Sequence, residues 1–199
     1  MEYKDEIEKR CTLKLRELKK ELPDFVDEFF MSIAEITSIR TRVGYAYDLK
    51  IFFNYLMENC DAFKDVYINQ IDCTHMNKIK AVDINRFLEY LSYYVKTNDD
   101  GEIVEITNRE RGKSRKLSAV RRLFNYLYRV EKVSSNPGEL IETPKIHDRE
   151  IIRLEPNEVA VLLDEVEKGD NLTKRQKKWH EHTKIRDLAI VTLLLGTGM

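Results

Sequence analysis

The feature that most constrains the fold is a run of apolar residues at helical spacing between positions 45 and 56. Residues three and four positions apart lie on one face of an α-helix, so the run predicts a helix over residues 39–58 with one apolar side. Thr37 and Ser38 suit its N-cap, because a hydroxyl can accept a hydrogen bond from the first turn. The run consists of Tyr45, Leu49, Phe52, Phe53 and Leu56.

Other segments carry a similar helical pattern, and together they predict a mainly α fold. The 199 residues include only 7 Gly and 4 Pro, so few positions interrupt long regular elements. Residues 97–112 are polar and predict a loop, in which 102–106 could form a short strand or hairpin edge. The other predicted helices cover residues 3–21, a segment that begins at Pro23, residues 81–96, residues 114–130, a segment that begins at 155, and residues 185–195.

Composition also divides the chain into segments. The charged helix over residues 3–21 has a narrow apolar stripe, which suits either an arm on a partner or a solvated extension. Residues 142–150 are extended and charged, which predicts an interdomain linker, and residues 168–184 predict a polar loop or charged helical insertion. Residues 185–195 are apolar on nearly all sides, which predicts burial in a larger core than the sequence after residue 151 can supply.

Cysteine use and hydropathy indicate a cytoplasmic protein with reduced thiols. The three cysteines are an odd, widely spaced set, which is not a disulfide framework. We find no signal peptide at the start, and no apolar run approaches the roughly 20 residues that span a bilayer. The pairs Cys73/His75 and His180/His182 supply too few ligands for zinc, so we expect neither a metal nor a cofactor.

The predicted helix over residues 114–130 gives the clearest functional signal. The formal net charge is −1, so the distribution of charge is more informative than its sum. Opposite the apolar side of this helix lie Arg115, Ser118 and Arg122, at spacings of three and four. Such a face can bind DNA phosphates with release of counterions, and Arg can pair with guanine in the major groove. Composition leaves open the alternative of a solvated charged face.

Two tyrosines of the 39–58 helix admit two interpretations. Tyr45 and Tyr47 lie near Arg40 and Arg42, so the four residues could form a nucleic-acid face. The apolar periodicity favours a core position for Tyr45, with its hydroxyl at the rim.

Several motifs point to one family. Residues 41–56 read Thr-x3-Tyr-x2-Asp-Leu-x2-Phe-x3-Leu, and residues 118–127 read Ser-Ala-Val-Arg-Arg-Leu-Phe-Asn-Tyr-Leu. Asn136-Pro137 is followed by Pro144-Lys145, and residues 186–198 read Arg-Asp-x-Ala-Ile-x2-Leu-Leu-Leu-Gly-Thr-Gly. Over residues 22–199 the chain therefore resembles the tyrosine recombinase (phage integrase) family, and within it the Xer-like recombinases.

This resemblance implies a two-domain clamp on double-stranded DNA. Its parts would be an N-terminal helical extension (1–21), a SAM-like core-binding domain of four to five helices (22–141), the linker (142–150) and the truncated start of a mixed α/β catalytic domain (151–199). The full-length protein would work with other recombinase subunits in a tetrameric synapse. We expect this chain to be monomeric and to have no membrane partner.

The resemblance also bears on catalysis. Family members use a tyrosine that attacks a DNA phosphate, helped by two arginines, a lysine and further residues, and the first arginine would be residue 200 here. No catalytic residue is therefore carried over, and we expect a DNA-gripping half that is inactive alone. The alternative is a catalysis-free DNA-binding regulator or a recombinase remnant.

The resemblance places the helices at 39–58 and 114–130 against the major groove and its phosphates. Arg121 and Arg122 lie about 100° apart on a helix, so one of them could instead support the fold by pairing with an acid such as Asp83. The candidate DNA-binding residues are Thr41, Arg42, Lys113, Arg115, Lys116, Ser118, Arg121 and Arg122.

Overall fold

The computed structural model describes residues 2–97, 101–145 and 153–197. The chain divides into two compact units, Met1–His147 and Asp148–Met199. Part of the predicted linker, from residue 146 onward, lies outside the described residues. The elements of unit 1 are α1 (Glu2–Lys19), α2 (Val26–Ser32), α3 (Ile39–Asn59), α4 (Cys73–Met76), α5 (Ala81–Tyr90), β1 (Tyr93–Thr97), β2 (Ile103–Thr107) and α6 (Glu110–Arg129). Those of unit 2 are α7 (Pro156–Lys168) and α8 (Lys174–Thr197).

The fold is mainly α-helical, as predicted, and α3 follows the predicted bounds closely. Ser38 caps α3, since its Oγ accepts a hydrogen bond from the backbone N–H of Thr41 at 3.2 Å. Short 3-10 turns at Asp61–Phe63 and Ile68–Gln70 lie between α3 and α4, and a third at Pro137–Leu140 follows α6. Among its described residues, unit 1 is therefore built mainly from helices, with β1 and β2 as a short hairpin.

One predicted helix is partly wrong. The helix predicted over residues 81–96 ends at Tyr90, and Tyr93–Thr97 forms the strand β1. This strand pairs antiparallel with β2, with Tyr93 opposite Thr107 and Thr97 opposite Ile103. The sequence Tyr-Tyr-Val-Lys-Thr is rich in aromatic and β-branched residues, which fit a pleated sheet better than a helix. The weak strand signal at 102–106 is confirmed by β2.

The core of unit 1 is aromatic and lies between α2, α3, α5 and α6. Phe29, Phe52, Phe87 and Phe124 are fully buried, and the rings of Phe52 and Phe87 meet edge to face at a centroid distance of 5.1 Å. Edge-to-face contacts of this kind add to the free energy gained by burial. The core thus fixes how α3 packs on α6, and these two helices carry the candidate site.

The N-terminal helix also contributes to this core. Leu15 and Leu18 of α1 are buried, and α1 packs along α3. Outside the helix, Glu21 forms an ion pair with Lys50 of α3. The apolar stripe of α1 is therefore covered by its own unit.

Unit 2 consists of two helices that pack on one another. Gly169 ends α7 in the left-handed region, with φ of 66°, and its N–H donates to the Glu165 carbonyl at 2.8 Å. The polar segment predicted over 168–184 is helical from Lys174, and it continues without a break into the apolar segment as α8. Within the described residues, none of the helices has the length and apolar content needed to span a bilayer.

Candidate nucleic-acid interface

The exposed side of α6 carries a stripe of basic and small polar residues. These residues follow one another at spacings of four and three, which places them on one face of the helix. The opposite face is apolar and buried, with Leu117, Val120 and Phe124 in the core. Glu110 is the only acidic residue of α6, at its first position. The α6 stripe consists of Arg111, Arg115, Ser118, Arg122 and Asn125, all exposed.

Arg115 joins the α6 stripe to α3 through a buried carboxylate. Its Nη2 donates a hydrogen bond to Oδ1 of Asp48 at 2.7 Å. Its Nη1 lies 2.7 Å from Oδ2 of Asp48, as an ion pair without hydrogen-bond geometry. The Asp48 side chain is 0% exposed, whereas that of Arg115 is 55% exposed. The pair therefore spans the boundary between the core and the surface.

Gly44 leaves room for the guanidinium of Arg115. A Cβ atom at Gly44 would lie 3.7 Å from Nη1 of Arg115, which is ordinary van der Waals contact. Gly44, Thr41 and Asp48 lie three and four residues apart, so they share the face of α3 that Arg115 crosses. A longer side chain at position 44 would occupy the space next to the guanidinium.

Burial controls the charge of Asp48. Desolvation raises the pKa of Asp48 to about 6, while the nearby charges of Arg115 and Lys116 act in the opposite direction. Tyr94 of β1 lies in the same environment, and burial raises the pKa of its hydroxyl. At neutral pH the carboxylate is ionised and paired with Arg115.

Lys116 points into unit 1 and is only 6% exposed. Its Nζ donates to Oδ1 of Asn108 at 2.8 Å, and burial lowers the pKa of Lys116. Asn108 in turn donates to the Leu91 carbonyl through Nδ2 at 3.0 Å. A Cβ atom at Gly112 would lie 2.9 Å from Oδ1 of Asn108, so this close contact needs glycine. The geometry corrects the expected position of Lys116, which joins α6 to the hairpin and offers no exposed ammonium.

The side chain of Arg121 also makes hydrogen bonds within unit 1. Its Nε donates to the Gly138 carbonyl at 3.0 Å, its Nη1 donates to Oγ1 of Thr143 at 2.7 Å, and its Nη2 donates to the Ile141 carbonyl. One of the two adjacent arginines therefore supports the fold, as expected. The suggested partner, Asp83, is wrong, because the Arg121 side chain donates to the segment after α6, whereas Asp83 accepts from the N–H of Lys80 at 2.9 Å.

Other predicted residues remain at the surface. The Nζ of Lys113 donates to Oγ of Ser92 at 2.7 Å, and the exposed Ser118 donates to the Ser114 carbonyl of its own helix. Arg122 is exposed and has no side-chain partner among the described residues. Thr41 is exposed at the first turn of α3, where its hydroxyl is 2.9 Å from that of Ser38.

Arg42 and Tyr45 lie partly inside the unit. The Nε of Arg42 is buried, with no hydrogen-bonding partner in the part of the chain that the structure describes. Tyr45 is half-buried against the core, which agrees with the core interpretation, while Tyr47 is exposed. Of the predicted set, Thr41, Arg115, Ser118 and Arg122 thus carry the exposed part of the candidate interface.

Curated relatives identify the family. The chain is 32% identical over 197 residues to the tyrosine recombinase XerC of Caldanaerobacter subterraneus subsp. tengcongensis, which covers 96% of this chain and 50% of that protein. It is 28% identical over 211 residues to the tyrosine recombinase XerS of Streptococcus equi subsp. equi, with 94% and 56% covered. This chain belongs to the tyrosine recombinase family. It spans about half the length of these recombinases.

A shorter similarity links the chain to a third recombinase. It is 26% identical over 125 residues to the tyrosine recombinase XerD of Vibrio vulnificus, which covers 62% of this chain and 37% of that protein. No family model matches the chain, and no solved structure matches it significantly. The assignment to the tyrosine recombinases therefore comes from sequence similarity to curated proteins.

Some residues of the recombinase-like motif in α3 belong to the core, and others belong to the candidate nucleic-acid interface. Leu49, Phe52 and Leu56 are fully buried in the core. Asp48, in the same motif, is the partner of Arg115, a role that sequence reasoning did not assign. Its position between apolar residues on the buried face was the available signal, because a buried carboxylate requires a partner. Arg111 was also missed, although it lies four residues before Arg115.

Proposed function

We propose that this chain binds duplex DNA as the DNA-gripping part of a site-specific tyrosine recombinase. The α6 stripe carries this proposal: it offers three arginines and no acid on an exposed face whose reverse side is fixed in the core. The first turn of α3 adds the hydroxyl of Thr41. The names of the relatives, all tyrosine recombinases, point to DNA as the ligand.

The chemistry of the stripe suits a DNA backbone and groove. Arginines on one face neutralise phosphates and release their counterions, which drives binding at moderate salt. The major groove, about 12 Å wide, admits a single α-helix. Ser118 is small and lies between Arg115 and Arg122, so the helix axis can approach the DNA closely there. The arrangement can therefore combine phosphate contacts with contacts to base edges.

The domain organisation is part of the same proposal. Residues 22–141 would form a SAM-like core-binding domain, and residues 151–199 would begin a catalytic domain that the longer recombinases complete. Breaking and rejoining of strands would then depend on sequence outside the half that this chain matches. Double-stranded DNA and further recombinase subunits are the proposed partners.

The test is binding of the full 199-residue chain to a random-sequence duplex across a salt series. We expect affinity to fall steeply with salt, and Arg122→Ala to weaken it by about tenfold at low salt and to reduce the salt slope by about one. The matched control is Arg16→Ala, which removes an exposed arginine from α1. An Arg122→Ala variant that binds no differently from Arg16→Ala, or a parent chain without affinity at low salt, would refute the proposal.

A further inference from the structure

The two central arginines of the α6 stripe differ in how they are held. Arg122 has no side-chain partner among the described residues, whereas Arg115 contacts both carboxylate oxygens of Asp48 at 2.7 Å. One guanidinium N–H donates a hydrogen bond to Asp48 and Nη1 lies against the same carboxylate as an ion pair, so other N–H groups of Arg115 stay available to an external acceptor. The side chain remains more than half exposed despite this pairing.

We propose that Asp48 is a positioning residue for DNA binding, which holds the Arg115 guanidinium across Gly44 so that its remaining N–H groups meet a DNA phosphate. This inference rests on the proposed DNA-binding function. It concerns the same stripe, but it assigns a role to a residue that DNA would not touch. Asp48 acts through Arg115 and makes no DNA contact of its own, because it is fully buried.

Three observations carry the inference. The first is the two-point contact: the Arg115 guanidinium donates one hydrogen bond to Oδ1 and lies against Oδ2 as an ion pair, which limits its direction more than a single contact would. The second is Gly44, whose missing side chain leaves the surface beside Nη1 of Arg115 open. The third is the cost of the arrangement. A buried ion pair is weak evidence of a stabilising role, because its replacement by apolar residues of similar volume is often neutral or stabilising.

Fixing Arg115 before DNA arrives would increase affinity. A free arginine side chain loses rotamer freedom when it binds a phosphate, and this loss opposes binding. At Arg115 much of that ordering has already taken place in the free protein. Within the described ranges Arg122 has no such partner, so under this proposal the DNA would order its side chain.

The sign of one substitution separates positioning from plain electrostatics. Asp48→Asn keeps the shape of the side chain and removes a negative charge close to the DNA-facing surface. If only net charge mattered, the Asp48→Asn variant would bind the DNA polyanion more tightly. Positioning predicts weaker binding, by about fivefold to tenfold, because the charged contact with the two carboxylate oxygens is lost while the Arg115 charge remains. The salt slope should stay unchanged, since no cation is removed.

The experiment measures binding of the full chain to a random-sequence duplex at neutral pH, below the unfolding temperature of every variant. The variants are Asp48→Asn, Arg115→Ala, their double variant and Arg115→Lys, with Arg122→Ala and Arg16→Ala as references. In the Arg115→Ala background, Asp48→Asn should cause no further loss, because Asp48 then has nothing to position. Arg115→Lys should keep the salt slope but lose affinity, and it replaces Arg115→Ala if the latter does not fold.

The outcomes distinguish the positioning role of Asp48 from the proposed DNA binding. A loss of affinity in Asp48→Asn that disappears without Arg115 supports positioning. Equal or tighter binding by Asp48→Asn, with the loss in Arg122→Ala intact, overturns positioning and leaves the proposed function standing. A parent chain that does not bind the duplex overturns both. Circular dichroism on each variant is the control: a variant counts only if its helical content equals that of the parent chain, so that a loss of affinity is not a loss of fold.

Discussion

The two units of this chain use similar apolar content in different ways. In unit 1 the apolar faces of α3 and α6 are buried, and residues such as Phe52 and Phe124 are inaccessible to solvent. In unit 2, α7 and α8 pack on one another, yet Leu193 is 61% exposed and Ile185 is 80% exposed. Among the described residues of unit 2, Gly169 alone is buried.

The difference shows that an apolar helix is not buried by its own sequence alone, because burial depends on the elements that pack against it. Contiguous exposed apolar surface on a protein normally marks a surface that another element covers. A helix that is apolar all round belongs in the interior of a larger domain. The chain spans about half the length of the XerC relative, and under the proposed function unit 2 begins a domain that the longer recombinases complete. Unit 1, by contrast, supplies the partners for its own apolar faces.

Two substitutions to alanine, one in each unit, should show the largest difference between the units. We expect Phe52→Ala to lower the free energy of unfolding by about 3–5 kcal/mol, because it leaves a cavity in a fully packed core. Leu193→Ala in α8 should change it by less than about 0.5 kcal/mol, because little of this side chain is removed from water. Denaturant unfolding, followed by circular dichroism, measures both. Similar costs for the two substitutions would show that unit 2 is packed like unit 1.

Sequence reasoning succeeded where the periodicity was long and one-sided. The apolar run of α3 predicted both the helix and its buried face, and α6 was found with its start four residues late. The segment Tyr93–Thr97 was missed because β1 depends on pairing with β2, a contact that helical spacing in a single segment does not reveal. A local pattern thus predicts a helix with a one-sided apolar face, whereas a strand is recognised only together with the strand that it pairs with.

The candidate site was predicted only in part, for a related reason. Helical spacing placed Arg115, Ser118 and Arg122 on one face, and all three are exposed. It could not show that Lys116 turns inward to Asn108 or that Arg121 binds the segment after α6, because both contacts are made with residues outside the helix. The spacing of charged residues along a helix predicts which face is basic. Tertiary structure decides which of these side chains remain exposed and able to bind DNA.

A second contrast between the units concerns pH. Burial raises the pKa of Asp48 in unit 1 to about 6, with Arg115 and Lys116 from α6 and Tyr94 from β1 as the charged or titratable groups around it. A raised pKa in the folded state contributes stability below the unfolded value, and this contribution is lost as pH rises through the folded pKa. The free energy of unfolding of the parent chain, relative to Asp48→Asn, should fall by about 2–3 kcal/mol between about pH 4 and 7.

Asp187 of unit 2 should show the opposite sign. Hydrogen bonds from Thr183 and Arg186 lower the pKa of this exposed carboxyl group. Its contribution is therefore present above the unfolded pKa and is lost as pH falls. Asp187→Asn should leave the difference between pH 5 and pH 7 almost unchanged. Urea unfolding at a series of pH values measures both variants, and a parent chain that gains stability relative to Asp48→Asn as pH rises would contradict the burial argument.

The smallest expected contrast compares two arginines. Arg121 in unit 1 donates to the carbonyls of Gly138 and Ile141 and to Thr143, which fixes the segment after α6. Arg186 in unit 2 forms an exposed ion pair with its neighbour Asp187, at 2.8 Å. Arg121→Ala leaves partly buried carbonyls without a donor and should cost about 1–2 kcal/mol, whereas Arg186→Ala should cost less than about 0.5 kcal/mol. Hydrogen exchange around residues 138–143 should accelerate only in Arg121→Ala, because local opening of this segment then becomes easier. Equal exchange in both variants would mean that the segment is held by the burial of Pro137 and Ile141 alone.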